Sequence, residues 1–325
     1  MNGTVTEKPL VSISCITFNH AQYIEKAING FLMQKTDFAF EVLIHDDAST
    51  DGTEEIIREF EQKFPSIIKP LYEETNQWVK GRKGSVVFNF PRAQGKYMAL
   101  CEGDDYWTDP FKLQKQVDFL ERNPEFGLCF HKVSLIHPDG AITDDYKTKV
   151  PEHYQTHSDL AEKGNYIQTP SVMFRKEYLL STEEANLSPL GDLFMYMIVT
   201  RNSKIGYIED TMAVYRIGSG IWSVQNDYER NIKTALTFAL LIKTRLFTRE
   251  INDILNARIL NIITRFIDQL KSTDLEKLSI VPKVTEQIFA KLLSEIELHK
   301  NRTNLPFKVQ LKRYANSKLK SMGLK

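Results

Sequence analysis

Short apolar runs alternate with segments of helical periodicity along the first half of the chain. Residues 11–16 form an apolar run that ends in a polar turn, and apolar residues then recur with helical spacing over 23–32. A second unit follows, with an apolar run at 41–44, an acidic turn at 46–52 and a helical pattern at 56–60. Parallel strands need a crossover, usually a helix, which covers the faces of the sheet. The alternation therefore predicts an α/β fold with a mostly parallel sheet and helices on both faces.

The remaining pattern predicts a two-part organisation. Further strands are expected at residues 67–71, 97–101, 126–136, 167–175 and 205–217, with helices that begin near Pro110 and Asp192. Asn19 is expected to cap the first helix, and the polar stretch 139–165 to form a long loop or flap. Beyond residue 224 the pattern changes to helical stripes at 251–270 and 284–296. We therefore divide the chain into an α/β domain at 1–224 and a helical region at 225–325.

The net charge of zero conceals an asymmetry between these two parts. The chain has 42 Lys and Arg and 42 Asp and Glu. Residues 1–224 hold 23 of the basic and 32 of the acidic residues, and residues 225–325 hold 19 and 10, so the charges are −9 and +9. A nucleic-acid-binding domain carries a basic patch or stripe, and the acidic first part does not fit one. We therefore expect no nucleic-acid partner.

The three cysteines each lie in an apolar run, which is typical of reduced thiols packed in strands. No apolar run reaches the roughly 20 residues that span a bilayer. Both observations predict a cytoplasmic protein that does not cross a membrane.

Pairs of carboxylates directly follow two of the predicted strands. Asp46 and Asp47 follow the run 41–44, and Asp104 and Asp105 follow the strand at 97–101. Ligands of an open parallel sheet bind at the carboxyl ends of its strands. Oxygen ligands of this kind suit Mg²⁺ or Mn²⁺, which often complete their shell with substrate phosphates. The alternative for the first pair is an Asx-type turn and helix cap.

The sequence lacks the motifs of several enzyme classes. The chain has no G-x-x-x-x-G-K-[ST] and no G-x-G-x-x-G after a strand, which disfavours P-loop ATPases, kinases and dinucleotide oxidoreductases. It has no H-E-x-x-H, C-x-x-C or G-x-S-x-G, so neither a zinc hydrolase nor a serine hydrolase of that type has its residues.

Three motifs in order resemble the family 2 glycosyltransferases, which have a GT-A fold. They are residues 11–19 (VSISCITFN), 41–53 (EVLIHDDASTDGT) and 95–107 (GKYMALCEGDDYW). The resemblance covers about 9–223, and the stretch 102–121 is similar to bacterial capsule, O-antigen and exopolysaccharide transferases within that family. The resemblance implies a Rossmann-like GT-A domain that binds a nucleotide-sugar.

The same resemblance implies roles for residues at the nucleotide. Thr17, Phe18 and Asn19 would line the nucleotide pocket, largely through their backbone. Asp47 would accept a hydrogen bond from the N–H of the base ring, which points to uridine. Asn76 resembles the asparagine of a loop on the nucleotide side.

The metal-binding D-x-D element of the family corresponds to Glu102-Gly103-Asp104, followed by Asp105. The implied ligands of Mn²⁺ or Mg²⁺ are Asp104, Asp105 and Glu102, and Asp104 would also face the nucleotide phosphates. Because the first acid is Glu, which carboxylate contacts the metal stays open.

The resemblance also implies a catalytic base and shows one departure. Asp192 matches the family's base at the start of the acceptor-side helix, and the alternative is an N-cap for that helix. The family often ends its domain with Y-R-x-H, whereas Tyr215-Arg216-Ile217 runs into glycine here. Arg216 is therefore a candidate phosphate contact in place of the missing histidine.

Two further groups of side chains have open interpretations. Candidates for stacking on a sugar are Tyr106, Trp107 and Trp222, with core packing as the alternative for Trp107. Candidates for contacting phosphates are Arg82, Lys83, Arg92 and Lys96, with a solvated surface cation as the alternative for each.

The expected function is an inverting, metal-dependent transfer of sugar from a nucleotide-sugar, a UDP-sugar, to a glycan or a polyprenyl-diphosphate-linked saccharide. One alternative is a catalytically silent nucleotide-sugar-binding subunit, suggested by the missing histidine. Another is a sugar-1-phosphate nucleotidyltransferase, which would be expected to carry a glycine-rich phosphate loop that residues 14–19 do not form.

The final 25 residues predict peripheral membrane contact at the inner face of the cell membrane. Residues 301–325 contain seven Lys and Arg and no acid. Each basic residue near an anionic lipid surface contributes on the order of 1 kcal/mol of attraction. The alternative is a solvated terminus.

We predict that deletion of residues 301–325 weakens binding to vesicles that contain anionic lipid and leaves UDP binding unchanged. Vesicle sedimentation and calorimetry measure the two properties. Equal sedimentation of the full chain and the shortened chain would contradict membrane contact through this segment.

Overall fold

The computed structural model describes residues 8–82, 84–145, 155–219 and 225–272. Within these residues the chain divides into two compact units, the first ending at Asn226 and the second beginning at Asp227.

The described part of the first unit alternates strands and helices in its first half, as the sequence predicts. In chain order its elements are β1 (Val11–Thr17), α1 (Ile24–Leu32), β2 (Phe40–Asp46), α2 (Thr53–Lys63), β3 (Ile68–Tyr72), a π-helix (Gly84–Asn89), α3 (Phe90–Arg92), β4 (Tyr97–Leu100), β5 (Tyr106–Trp107), α4 (Lys112–Arg122), β6 (Phe126–Ile136), β7 (Ile142–Asp144), α5 (His157–Lys163), a 3₁₀ turn (Thr169–Ser171), β8 (Met173–Arg175), a second 3₁₀ turn (Lys176–Tyr178), α6 (Glu183–Leu187), α7 (Gly191–Thr200) and β9 (Lys204–Arg216).

The strands form one sheet in the order β3-β2-β1-β4-β8-β6-β9-β5, and β7 pairs with β6. The four strands β3, β2, β1 and β4 are parallel, which confirms the α/β fold. The other half is mixed, because β8 is antiparallel to β4 and β6, β5 is antiparallel to β9, and β6 and β9 are parallel. The sequence did not reveal this change, because the periodicity of a strand shows which of its faces is buried and not the direction in which it pairs.

A buried polar cluster fixes the entry to β4 against β1 and β2. Ser12 Oγ donates to Glu41 Oε1 at 2.6 Å, and that carboxylate also accepts from the backbone N–H of Gln94 at 2.8 Å. The backbone N–H of Gly95 donates to Ser12 Oγ at 2.8 Å. Each buried polar group therefore has a partner, as burial requires. This cluster sets the register of β4 and so the position of the acidic loop that follows it.

Two local predictions were wrong. Asn19 does not cap the first helix, because α1 begins at Ile24 with Tyr23 at the N-cap. Asn19 instead has a φ of 55°, and its side-chain oxygen accepts from the backbone N–H of Thr50 at 2.9 Å. An asparagine adopts this left-handed conformation at lower cost than most residues because its side chain bonds locally.

The stretch 139–165, expected to be a loop or flap, contains β7 and α5 in its described parts. Helix α5 begins with a capping box between Thr156 and Asp159, a signal that the low apolar content of the stretch concealed.

The described part of the second unit consists of α8 (Asp227–Thr244) and α9 (Arg249–Ser272), which pack on each other. Helix α9 coincides with the predicted stripe at 251–270, and it buries Ile251, Leu255 and Ile259. The predicted stripe at 284–296 and the basic segment 301–325 lie outside the described residues. Among the helices that the structure describes, none is long and apolar enough to span a bilayer.

The three cysteines, Cys15, Cys101 and Cys129, are buried and not disulfide-bonded, which confirms their interpretation as packed thiols. Burial raises the pKa of Cys129 to about 12, so this thiol stays protonated.

We predict that Gly95→Ala lowers the free energy of unfolding by about 1 to 3 kcal/mol, the usual cost of forcing atoms into a packed site. A β-carbon at this position would lie 2.5 Å from the backbone nitrogen of Ser12. Urea denaturation measures the change. The matched control is Gly191→Ala, because a β-carbon at Gly191 meets no atom within 4 Å. Equal stability of the two variants would contradict the prediction.

Candidate active site

Two loops meet at the carboxyl ends of β1 and β2, where the sequence places the nucleotide. The backbone N–H of Asp47 donates to the carbonyl of Thr17 at 3.0 Å. The backbone N–H of Asn19 donates to Ser49 Oγ at 2.9 Å, and that of Ala21 donates to the Asp51 carboxylate at 3.0 Å. The loop after β1 is therefore held against the loop after β2 along its length.

Asp47 organises a third loop on the same edge. Its carboxylate accepts hydrogen bonds from the backbone N–H groups of Gln77 at 2.6 Å and Trp78 at 3.0 Å. Asn76 Nδ2 donates to the carbonyl of Asp47 at 3.3 Å, and Asn76 Oδ1 accepts from the N–H of Val79. The structure thus brings Asp47 and Asn76 together, as the resemblance implies. Since a carboxylate has about four acceptor positions, holding this loop leaves capacity for a base N–H.

The end of β1 contacts the acidic loop that follows β4. A β-carbon on Gly103 would lie 2.7 Å from Thr17 Oγ1 and 3.0 Å from His20 Nδ1. Only a glycine allows this approach. Thr17 is buried, whereas Phe18 is 44% exposed and extends from the loop. The predicted nucleotide residues therefore border the predicted metal residues directly.

The acidic loop buries the side chains of Asp104 and Asp105. Asp105 is 1% exposed, and burial together with the charges of Asp104 and Glu102 raises its pKa well above the usual range. The hydrogen bond that its Oδ1 accepts from the backbone N–H of Arg216 at 2.7 Å acts in the opposite direction. Asp104 Oδ2 accepts from Ser219 Oγ at 2.6 Å. Burial and the charges of Asp104 and Asp192 raise the pKa of Glu102 to about 8. The loop therefore holds acids that repel one another when ionised.

Arg216 fixes this loop from the end of β9. Its Nε donates to the carbonyl of Asp104 at 3.0 Å, and its guanidinium carbon lies 4.0 Å from the centre of the Tyr23 ring. The family often has a histidine shortly after this arginine. In this chain Ser219 follows instead, and its hydroxyl group donates to the Asp104 carboxylate. Contact of Arg216 with a phosphate stays a prediction, and Trp222 lies outside the described residues.

The residues fit a divalent cation that takes few protein ligands. Asp104 Oδ1 and Asp105 Oδ2 are buried and have no hydrogen-bond partner among the described residues. Mg²⁺ usually binds through one or two carboxylates plus substrate phosphates and keeps several waters, and two such oxygens meet that need. No three His, Cys, Asp or Glu side chains of the described residues lie close enough to hold a metal by themselves. Asp104 and Asp105 are therefore the best placed ligands, because each has such an oxygen, and Glu102 has none among the described atoms.

Asp192 lies in the first turn of α7 and faces the same group of acids. The N-cap of α7 is Leu190, with no side-chain cap hydrogen bond, so the cap interpretation of Asp192 was wrong. Asn165 Nδ2 donates to Asp192 Oδ2 at 2.6 Å. The charge of Asp192 is one of the causes that raise the pKa of Glu102, a member of the acidic loop. The base expected from the resemblance therefore lies beside the acidic loop.

The structure favours core packing for Trp107. This side chain is 2% exposed, its Nε1 donates to the carbonyl of Pro170 at 2.9 Å, and its ring packs edge-on against Phe31. Tyr106 is 7% exposed, with Lys26 Nζ 3.7 Å from its ring centre. The interpretation of Trp107 as a residue that stacks on a sugar was therefore wrong, because its ring has no open face.

The basic residues between the acidic motifs mostly have structural partners. Arg92 donates to the carbonyl of Ile44 at 3.0 Å, and burial lowers its pKa. Lys96 pairs with Glu121 at 2.7 Å on the surface. Arg82 donates to Gln77 Oε1 at 3.1 Å in the loop that Asp47 holds. Lys83 lies outside the described residues.

Sequence reasoning missed Asn165 and Ser219. Their partners lie 27 residues away, at Asp192, and 115 residues away, at Asp104. Neither residue stands in a recognisable motif, so no sequence signal connects it to the site.

Comparisons with known proteins agree with this fold. Residues 12–179 match the profile of glycosyl transferase family 2. The match covers more than half of the chain, so the chain belongs to that family, and the resemblance of its motifs is confirmed.

Two relatives extend the comparison. An uncharacterised protein of Mycobacterium tuberculosis is 40% identical over 213 residues, 65% of this chain and 60% of the relative. The putative teichuronic acid biosynthesis glycosyltransferase TuaG of Bacillus subtilis is 32% identical over 212 residues, 65% of this chain and 80% of TuaG. The chain thus matches less than two thirds of the length of the mycobacterial relative.

Two solved structures share the fold. Residues 1–349 of Staphylococcus aureus TarS, in complex with UDP-GlcNAc, align with a TM-score of 0.59 and 20% identity over 88% of this chain and 81% of TarS 1–349. The mannosyltransferase PcManGT of Pyrobaculum calidifontis, in complex with GDP-Man and Mn²⁺, aligns with a TM-score of 0.53 and 15% identity over 96% of this chain and 81% of its own. These likenesses confirm the GT-A fold.

We predict that Asp47→Ala increases amide hydrogen exchange at Gln77 and Trp78 by roughly tenfold or more, because two amides lose a charged acceptor worth about 1.5 to 3 kcal/mol each. Exchange measured by mass spectrometry on the peptide that contains 73–82 reports the change. Glu74→Ala is the matched control, since that exposed acid belongs to the same segment. Unchanged exchange in Asp47→Ala would show that the carboxylate does not hold the loop.

Proposed function

We propose that the protein is an inverting, metal-dependent glycosyltransferase. It transfers a sugar from a UDP-sugar to a hydroxyl group of a glycan or of a polyprenyl-diphosphate-linked saccharide. Family membership, the name of the relative TuaG and the UDP-GlcNAc bound to TarS support this assignment.

The observation that carries the proposal is the convergence of two kinds of carboxylate. Asp104 and Asp105 follow β4, whereas Asp192 lies in the first turn of α7, on a different part of the chain. The charges of Asp104 and Asp192 both raise the pKa of Glu102, which therefore lies within the field of each. The proposed mechanism needs carboxylates that hold a metal at the diphosphate and another carboxylate at the acceptor, and this arrangement supports that division of roles.

In the proposed reaction the acceptor hydroxyl oxygen attacks the anomeric carbon, and the bond from that carbon to the diphosphate oxygen breaks. The bonding electron pair leaves with UDP, and the hydroxyl proton passes to the Asp192 carboxylate. A single displacement of this kind inverts the configuration at the anomeric carbon. One carboxylate within about 3 Å of the hydroxyl is sufficient for the proton transfer.

Asp104 and Asp105 would hold the divalent cation, Mn²⁺ or Mg²⁺, and the presence of Mn²⁺ in the complex of PcManGT supports this choice. When bound, the cation neutralises the charge that develops on the departing diphosphate. The chain itself orients Asp104 through Ser219 and Arg216, which occupy one of its carboxylate oxygens and its carbonyl.

We place the reaction in the cytoplasm, at the inner face of the cell membrane, where the basic segment 301–325 would keep the enzyme close to a lipid-linked acceptor. A nucleic-acid partner is not part of the proposal, because residues 1–224 carry a net charge of −9.

We predict that Asp192→Asn lowers kcat for UDP release from UDP-sugars by about 10²- to 10⁴-fold, the usual contribution of a general base, and leaves UDP affinity unchanged. Asp104→Asn is expected to abolish turnover and also to weaken UDP binding in the presence of Mn²⁺. A coupled UDP-release assay and calorimetry separate the two effects.

The control is Asp37→Asn, which neutralises an exposed acid that lies outside the acidic loop. Full turnover in the double variant of Asp104 and Asp192 would disprove the mechanism. Binding of UDP and Mn²⁺ by the wild-type protein, without UDP release from any UDP-sugar, would favour the silent nucleotide-sugar-binding subunit instead.

A further inference from the structure

We propose that Asn165 is a positioning residue for Asp192, holding its carboxyl group in the orientation that proton transfer from the acceptor requires. This inference rests on the proposed function, and it adds a residue that neither the motifs nor the family resemblance identified.

Both ends of the Asn165 amide are engaged, and in opposite senses. Nδ2 donates to Asp192 Oδ2 at 2.6 Å, while Oδ1 accepts from the backbone N–H of Ile167 at 3.1 Å. A flipped amide would present its oxygen to a carboxylate and its N–H₂ to a backbone donor, so both contacts would become repulsive. The amide therefore has one favourable orientation, and it points a donor at Asp192.

The elements on which the two residues lie keep this contact in place. Gly164 ends α5 with a φ of 85°, and its N–H donates to the carbonyl of Leu160 at 2.9 Å, so the chain turns at Asn165. Ile167, two residues on, is 3% exposed and anchors the segment in the core. On the other side, the last eight residues of α7, 193–200, are all buried. Asn165 itself is exposed, so its distance from Asp192 depends on the packed segments that flank the two residues.

The electrostatic surroundings explain why an amide is needed at this position. The charge of Asp192 is among the causes that raise the pKa of the Glu102 carboxyl and of the phenol groups of Tyr196 and Tyr215. A second carboxylate nearby favours protonation of Asp192, whereas a hydrogen bond donated to its oxygen favours the ionised form. Asn165 supplies that donor without titrating. An ionised Asp192 is the form that can accept a proton.

The hydrogen bond also determines the orientation of the Asp192 carboxyl group. A bond to Oδ2 restricts rotation of the carboxyl group and so fixes where Oδ1 lies relative to the helix. Misplacement of a catalytic group by about 1 Å costs on the order of 100-fold in rate. Loss of the Asn165 donor therefore affects the rate of transfer more than the binding of donor substrate.

The test compares Asn165→Ala and the isosteric Asn165→Asp with the wild-type protein. UDP release from UDP-GlcNAc, UDP-glucose and UDP-galactose with Mn²⁺ is followed from pH 5 to 9, with water as the acceptor, and UDP affinity is measured by calorimetry. In Asn165→Ala we expect kcat to fall by roughly 10- to 100-fold, with unchanged UDP affinity and an acidic limb at higher pH. In Asn165→Asp we expect a greater loss, since two carboxyl groups then share one proton.

A readout without turnover separates this inference from the proposed function. The Asp192 carboxyl carbon, assigned by its loss in Asp192→Asn, is titrated by carbon-13 NMR in each protein. A midpoint that rises in Asn165→Ala supports the positioning role, and an unchanged midpoint overturns it. A wild-type protein that releases no UDP overturns the proposed function, while the titration still decides whether Asn165 acts on Asp192.

The matched control is Asn202→Ala. Asn202 is an exposed asparagine just beyond the other end of α7, and the same substitution there removes an identical side chain. Its kinetics and titration are expected to match those of the wild-type protein. A loss of kcat equal to that of Asn165→Ala would assign the effect to the stability of α7 and overturn the positioning role.

Discussion

Repulsion among carboxylates at one edge of the sheet is the constraint on which the rest of this structure depends. Glu102, Asp104 and Asp105 lie in four consecutive residues after β4, and the charge of Asp192, on α7, acts on Glu102. Burial alone would drive such groups to their neutral forms. Hydrogen-bond donors of the surrounding chain stabilise the ionised forms. Ser219 donates to Asp104, the backbone N–H of Arg216 donates to Asp105, and Asn165 donates to Asp192. A divalent cation would complete the same compensation at the two carboxylate oxygens that have no partner among the described residues.

The sheet topology places these donors where they are needed. The parallel strands β1, β2 and β4 bring the nucleotide loops and the acidic loop to one edge. Strand β9 then pairs with β5, directly after the acidic loop, so that Arg216 at its end reaches Asp104 and Asp105. The parallel half of the sheet therefore carries the loops of the candidate site, and the mixed half supplies Arg216, which contacts the acidic loop.

Asp47 holds the fold together at a position where the family resemblance also implies a functional role. Its carboxylate holds the loop that contains Gln77 and Trp78, and its place at the end of β2 is also where the resemblance puts the base-binding acid. If Asp47 binds the base as the resemblance implies, its substitution would remove both the shape of this loop and the contact with the base. The buried Ser12–Glu41–Gly95 cluster affects the site indirectly, because it sets the register of the strand that leads to the acidic loop.

The sequence by itself determined the α/β class, the parallel half of the sheet, the carboxylates at its edge and the family, because these depend on local periodicity and on short motifs. Tertiary structure decided what those motifs left open. It excluded the cap role of Asp192, buried Trp107 in the core, reversed the direction of β8, and brought Asn165 and Ser219 to acids 27 and 115 residues away. The physical reason is that burial, strand direction and hydrogen bonding between distant segments depend on the packing of the whole domain. No short stretch of sequence carries that information.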